Sequence, residues 1–207
     1  MQAGSGAGRA GGRRSRPVTR APLVLASRSP QRRAILEQLG VDFEVVPAAV
    51  EEVAHGDPEA AARENAARKA RAVAAQRGDA LVLGADTIVA LGERILDKPA
   101  DPERAREWLR ALSGRTHRVI GGLCLVGDGG ERAAVAVTEV EFRELGADEV
   151  EWYLASGEWR ERAGGYAIQG RGGALVRGIR GDYLNVVGLP VPALLDLVPD
   201  LLEAGGP

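Results

Sequence analysis

PLVLASRSPQRRAILEQLG, residues 22–40, is the stretch on which the architecture turns. Its apolar opening, PLVLAS, has the length and composition of a short buried strand, and SRSPQRRAILEQLG that follows is a helix. Ser29 is placed to cap that helix. Pro30 suits the first turn, where no amide proton is required, and Gly40 suits the left-handed residue that ends it. A strand that runs straight into a helix is the building unit of α/β folds.

Downstream, VDFEVVP (41–47) alternates apolar and polar residues as a strand does. DPEAAARENAARKARAVAAQRG (57–78) is a longer helix with Asp57 as cap, Pro58 at its first position and Gly78 as its stop. ALVLGADTIVALGERILDKP (80–99) is expected as two short strands separated by a polar break at Asp86, and Asp101-Pro102 opens a third helix that ends at Ser113-Gly114. RTHRVIGGLCLVG and ERAAVAVTEVEFREL, joined by GDGG, predict a hairpin. ADEVEWYLAS (147–156) is a short helix, residues 157–188 read as loops around one or two strands, and PVPALLDLVPDLL (190–202) closes the chain as a helix. Strands alternating with helices, plus an inserted hairpin, predict an α/β fold with a mixed twisted sheet flanked by helices.

Composition narrows the function. The chain has 207 residues, enough for one domain with a sizeable core, and no apolar run approaches the roughly 20 residues of a membrane helix. No membrane association is expected. Residues 1–20 hold five arginines and no acid, so the remainder is net −7. An acidic body excludes nonspecific nucleic-acid binding through a basic face. Residues 1–21 are expected as a disordered Gly/Arg-rich tail, or the product of a start codon set too far upstream, and 22–207 as one domain. The tail lacks the apolar centre of a secretory signal. A single cysteine, Cys124, sits in an apolar run, which fits a buried thiol and a reducing, cytoplasmic setting.

Four segments bear chemical groups. In LVLASRSPQRRAIL, a helix N-terminus offers free amides and the positive end of its dipole. Ser27 and Ser29 add hydroxyls there, and Arg28, Arg32 and Arg33 add phosphate-matching guanidinium groups. Taken alone, a capped helix with solvated arginines explains this segment better. In GADTIV, Asp86 is expected at a strand end, where a carboxylate can hold a metal or orient a water, although aspartates there more often shape turns. Lys69 and Lys98 are the only lysines beside 25 arginines, a pattern that favours sites wanting a compact point charge. In the glycine-rich stretch 163–190, Gln169, Tyr183 and Asn185 offer base- or sugar-reading groups. Zinc is disfavoured because His55, His117 and Cys124 are far apart in sequence, and a Ser27–His117–Asp86 triad lacks any nucleophile-elbow motif.

Taken in order, LASRSPQRRAILEQLG, FEVVPAAVEE, NAARKA, GADTIV, ILDKPAD, LSGRTHRV, GEWRERAGGYAIQG and GDYLNVVGLP resemble the Maf family of nucleotide pyrophosphatases. Eight segments in register make that resemblance specific, from Leu23 to the C-terminal helix. It implies a two-lobed Maf/ITPase-like fold with a central cleft. It also implies hydrolysis of dTTP and UTP, and of modified pyrimidine nucleotides, to monophosphate and pyrophosphate. In that reading Asp86 is the proton acceptor and Ser27, Arg32, Lys69 and Lys98 bind substrate. Glu52 shares with Asp86 a divalent metal cation, Mg²⁺ or Mn²⁺. Gln31, Thr87 and Gln169 match the positions linked to substrate choice. The resemblance further implies a homodimer. Departures are Gln31, where the dTTP/UTP branch often has arginine, Arg162 for lysine, and Gly121 for threonine. The same residues would also serve a nucleotide-binding regulator of septum formation or a purine (ITP/XTP) pyrophosphatase. Asp86 with Glu52 and two lysines favours an enzyme over the first, and Thr87 with Gln169 speaks against the second.

Overall fold

The structure, a computed structural model, describes residues 21–203, so the basic tail lies, apart from Ala21, outside the described residues. Strand β1 (Leu23–Leu25) leads into helix α1 (Pro30–Gln38), followed by β2 (Phe43–Val45) and α2 (Pro58–Ala74). Strands β3 (Leu81–Leu91) and β4 (Arg94–Leu96) precede α3 (Pro102–Leu112). The hairpin β5 (Thr116–Gly127) and β6 (Gly130–Phe142) leads to α4 (Ala147–Ala155). Two 3-10 turns, Ala163–Gly165 and Arg171–Leu175, lie ahead of β7 (Val176–Arg180), α5 (Tyr183–Val187) and α6 (Val191–Leu197). The strands form one mixed sheet in the order β2-β1-β3-β5-β6-β7, with β4 paired to β3. Only the β1–β2 and β1–β3 pairs are parallel.

The helix starts follow the expected chemistry. Ser29, Asp57 and Asp101 each cap a helix with the side-chain oxygen, and a proline occupies the first turn of all three. Helix α2 ends at Ala74, before the expected stop at Gly78. Residues 157–188 contain, besides one strand, the short helix α5, capped by the Asp182 carboxylate. Its glycine-rich surroundings hide so short a helix from a periodicity argument.

One expectation is overturned. Residues 81–91 form a single strand that continues through Asp86, because β5 pairs with it at every position from Val82 to Ala90. The opposite edge of β3 is different. There β1 pairs only with residues 81–83 and β4 only with 89–91. A notch is left between them, and Asp86 sits in the notch instead of at a strand end. The polar residue thus marks a gap in the neighbouring strand.

Side chains alternate across β3. Leu83 and Ala85 join one core with Ile35, Leu36, Leu189 and Leu194, while Val89 joins a second with Trp108, Leu109, Phe142 and Tyr153. These are the two lobes, and β3 with β5 runs through both. On the other face, α2 lies unusually close to the sheet. A Cβ at Gly84 would stand 2.1 Å from the Ala66 carbonyl, and one at Gly122 2.1 Å from that of Ala62. Only glycine admits this approach. Gly122 is the cross-strand partner of Asp86, so the closeness brings the face of α2 onto that carboxylate.

Candidate active site

Asp86 points toward α2, where Asn65 and Lys69 stand one helical turn apart on the buried face. Lys69 Nζ donates to Asp86 Oδ1 at 2.7 Å, and Asn65 Nδ2 donates to Asp86 Oδ2 at 3.0 Å. Asp86 is 6% exposed and Lys69 8%, so the pair is largely removed from water and each compensates the charge of the other. Lys69 Nζ also lies 2.5 Å from Glu52 Oε1, a carboxylate on the exposed loop between β2 and α2. Asn65 ties that loop down as well. Its Oδ1 accepts from Val53 N at 2.7 Å and its Nδ2 donates to the Val53 carbonyl at 3.0 Å.

Across β3, Thr87 faces α1. Arg32 is buried and its guanidinium is fully directed. Nε donates to the Gly188 carbonyl at 2.9 Å, one terminal nitrogen to Ser27 Oγ at 3.0 Å, and the other to Thr87 Oγ1 at 3.0 Å. Burial lowers its pKa, while Asp86 and Glu52 push the other way. An arginine starts so far above neutrality that it remains cationic. Ser27 Oγ accepts from Ser29 N at 3.2 Å, and the Gln31 side chain accepts from Ser29 Oγ at 3.2 Å. These contacts fix the loop that presents the N-terminus of α1.

The nine residues that the family resemblance picks out line one cavity of about 800 Å³: Ser27, Gln31, Arg32, Glu52, Lys69, Asp86, Thr87, Lys98 and Gln169. Lys98 reaches it from the loop after β4, and Gln169 from the segment between the 3-10 turns. Arg28, Glu161, Arg162 and Tyr166 also belong to the wall. Arg32, Lys69 and Lys98 come from three elements and converge on a space beside a single buried carboxylate. That arrangement is suited to a polyanion and sets a carboxylate at its side.

Three suggested groups lie elsewhere, and the first, Arg33, is exposed and pairs with Glu37 at 2.7 Å. Tyr183 is exposed and not part of the cavity wall. Asn185 is fully buried, and its Nδ2 donates to the Val119 carbonyl and to Thr138 Oγ1, both at 3.0 Å. It therefore anchors α5 to the sheet. The missing side chain at Gly121 makes room for it, since a Cβ there would lie 2.0 Å from Asn185 Oδ1. The anchoring matters indirectly, because α5 ends at the Gly188 carbonyl that holds Arg32.

A catalytic triad does not assemble. His117 Nε2 pairs with the Tyr166 hydroxyl at 2.8 Å, and burial pushes the imidazole pKa down to about 4, so it is neutral. Burial also raises the pKa of the Cys124 thiol, to about 11. Sequence reasoning missed Asn65, although its signal was present. An amide four residues before a lysine, on the alanine face of a helix, has to find a buried partner.

Among the described residues, no group of three or more His, Cys, Asp or Glu side chains gathers to hold a metal by itself. Glu52 and Asp86 do share one cation, the Lys69 ammonium. Two hard carboxylates beside a cavity lined by arginines and lysines are a donor set suited to Mg²⁺ or Mn²⁺, whose remaining ligands are commonly phosphate oxygens and water. The residues fit such an ion.

A dTTP/UTP pyrophosphatase of Deinococcus radiodurans is 47% identical over 88% of this chain and 94% of its own length. Proteins of the same name from Thermococcus gammatolerans and Moorella thermoacetica are each 49% identical. The matches cover 84% and 85% of this chain, and 94% and 93% of theirs. Among solved structures, the Staphylococcus aureus Ham1 protein aligns with 58% of this chain and 71% of its own, at a TM-score of 0.44 and 15% identity. The family described as Maf-like protein matches residues 22–201, and with relatives this similar over nearly their whole length, the chain belongs to that family.

Proposed function

We propose that this protein hydrolyses dTTP and UTP to the nucleoside monophosphate and pyrophosphate. The substrate pair rests on relatives of that name, 44–49% identical. The reaction class rests on one observation above all, a buried carboxylate held between Lys69 and Asn65 at the wall of a cationic cavity. Asp86 orients a water and accepts its proton as the water oxygen bonds to the α-phosphorus. The bond from that phosphorus to the bridging oxygen breaks, and pyrophosphate leaves with the electron pair. Arg32, Lys69 and Lys98 neutralise the charge that grows on the phosphate oxygens, aided by Ser27 and the amides at the start of α1. Glu52 and Asp86 would hold a divalent ion, which supplies further charge neutralisation at the phosphates. Gln31, Thr87 and Gln169 line the same cavity and suit reading of the base. No helix among the described residues is long and apolar enough to cross a membrane. A buried, reduced Cys124 suits a cytoplasmic setting.

The test is a panel of nucleoside triphosphates with Mg²⁺ or Mn²⁺, scoring pyrophosphate separately from orthophosphate. Pyrophosphate release with dTTP and UTP foremost is expected, and Asp86→Asn should remove at least 99% of it while the circular dichroism spectrum is unchanged, roughly the loss expected when a general base is removed. Orthophosphate as first product, or near-normal turnover by the variant, overturns the reading.

A further inference from the structure

The Lys69 ammonium lies 2.5 Å from Glu52 and 2.7 Å from Asp86, so it fills the space between the two carboxylates that the proposed function gives to a divalent ion. A lysine amine and a metal ion cannot both sit there. The ammonium sits at the end of a flexible four-carbon stem, donating to Asp86 Oδ1 at 2.7 Å and at long range to the Ala85 carbonyl at 3.5 Å, while Asp86 is fixed on its other oxygen by Asn65. Mobility therefore belongs to the lysine.

We propose that Lys69 is a built-in placeholder for the divalent cation. Without ligand it bridges Glu52 and Asp86. On metal entry it leaves that bridge and turns to the phosphate oxygens in the same cavity. This rests on the metal reading of Glu52 and Asp86 given above and adds to it an exchange of cations. The two carboxylates keep a partner in both states, so no uncompensated charge is buried at any stage. The arrangement also couples ligands. Phosphate oxygens that draw Lys69 away raise the affinity of the carboxylates for metal, and by reciprocity metal raises affinity for the polyphosphate.

Removing the lysine charge leaves the carboxylate pair at −2 instead of −1, so Lys69→Gln should bind Mn²⁺ more tightly than the unchanged protein. The expected gain is at least tenfold, followed by the electron paramagnetic resonance of free Mn²⁺ in the absence of nucleotide, even though this variant should turn over substrate poorly. A second measurement needs no variant. Lys69 and Lys98 are the only lysines, so acetic anhydride labelling mapped by peptide mass reads each separately. Saturating Mg²⁺ should speed labelling of Lys69 several-fold and leave Lys98 as an internal reference. Unchanged Lys69 labelling, together with equal Mn²⁺ affinity in Lys69→Gln, overturns the exchange. Glu52→Gln and Asp86→Asn separate the two levels. If they weaken Mn²⁺ binding while the lysine results are flat, only the placeholder is wrong. If they leave it unaltered, the metal reading falls and the placeholder with it.

Discussion

Asn65 and Lys69 divide the two oxygens of Asp86 between them, and this division sets what the carboxylate can do. The amide donates and carries no charge, so it holds the oxygen in place without altering the charge balance of the site. Asn65→Asp keeps the shape, removes that donor and sets a second carboxylate against the first. The second charge then stands beside Asp86 with no donor to hold its Oδ2. Turnover should fall by roughly 10- to 100-fold, the usual range for a residue that orients a reacting group. Steady-state kinetics check this, and unchanged turnover would show that Asn65 does not position the carboxylate. The site was half legible at this scale. Asp86, Lys69 and Lys98 stood out by type and setting, and the resemblance joined them to Ser27, Arg32, Glu52, Thr87 and Gln169. Asn185 was misjudged because an amide in a glycine-rich loop looks available, and only the fold reveals that it is buried against β5 and β6.

At the level of elements, α2 and β3 make the site together. Their closeness depends on glycine at 84 and 122, where added methyl groups would collide with backbone carbonyls instead of yielding side chains. Gly122→Ala should push α2 outward, cost about 1–3 kcal/mol as overpacking generally does, and loosen both contacts to Asp86. Chemical denaturation read beside steady-state kinetics checks this, and a variant with normal stability and turnover contradicts it. The caps of α1, α2 and α3 were readable because a capping side chain and a following proline are local signals. The continuity of β3 was not. An aspartate inside an apolar run signals a break, and its tolerance here depends on a notch made by strands that arrive from elsewhere in the chain.

For the molecule as a whole, His117 links β5 to the segment that carries Gln169, through the Tyr166 hydroxyl. Its pKa falls on folding from 6.5 to about 4, because burial disfavours the charged ring. Between those pH values the unfolded chain binds a proton that the folded protein does not, so stability declines as pH drops through that window. The decline attributable to this one group is roughly 3 kcal/mol. His117→Gln keeps a hydrogen-bonding side chain and removes the titration. Urea midpoints measured from pH 7 to pH 4.5 should therefore fall more steeply for the natural protein than for the variant. Parallel slopes would show that His117 is not the group responsible.

The ribbon of β3 and β5, paired without interruption from Val82 to Ala90, joins the lobe that holds Ser27 and Arg32 to the one that holds Lys98. Asp86 lies on the ribbon itself, so the sheet sets its place, whereas Arg32 and Lys98 come to the cavity from elements on either side of it.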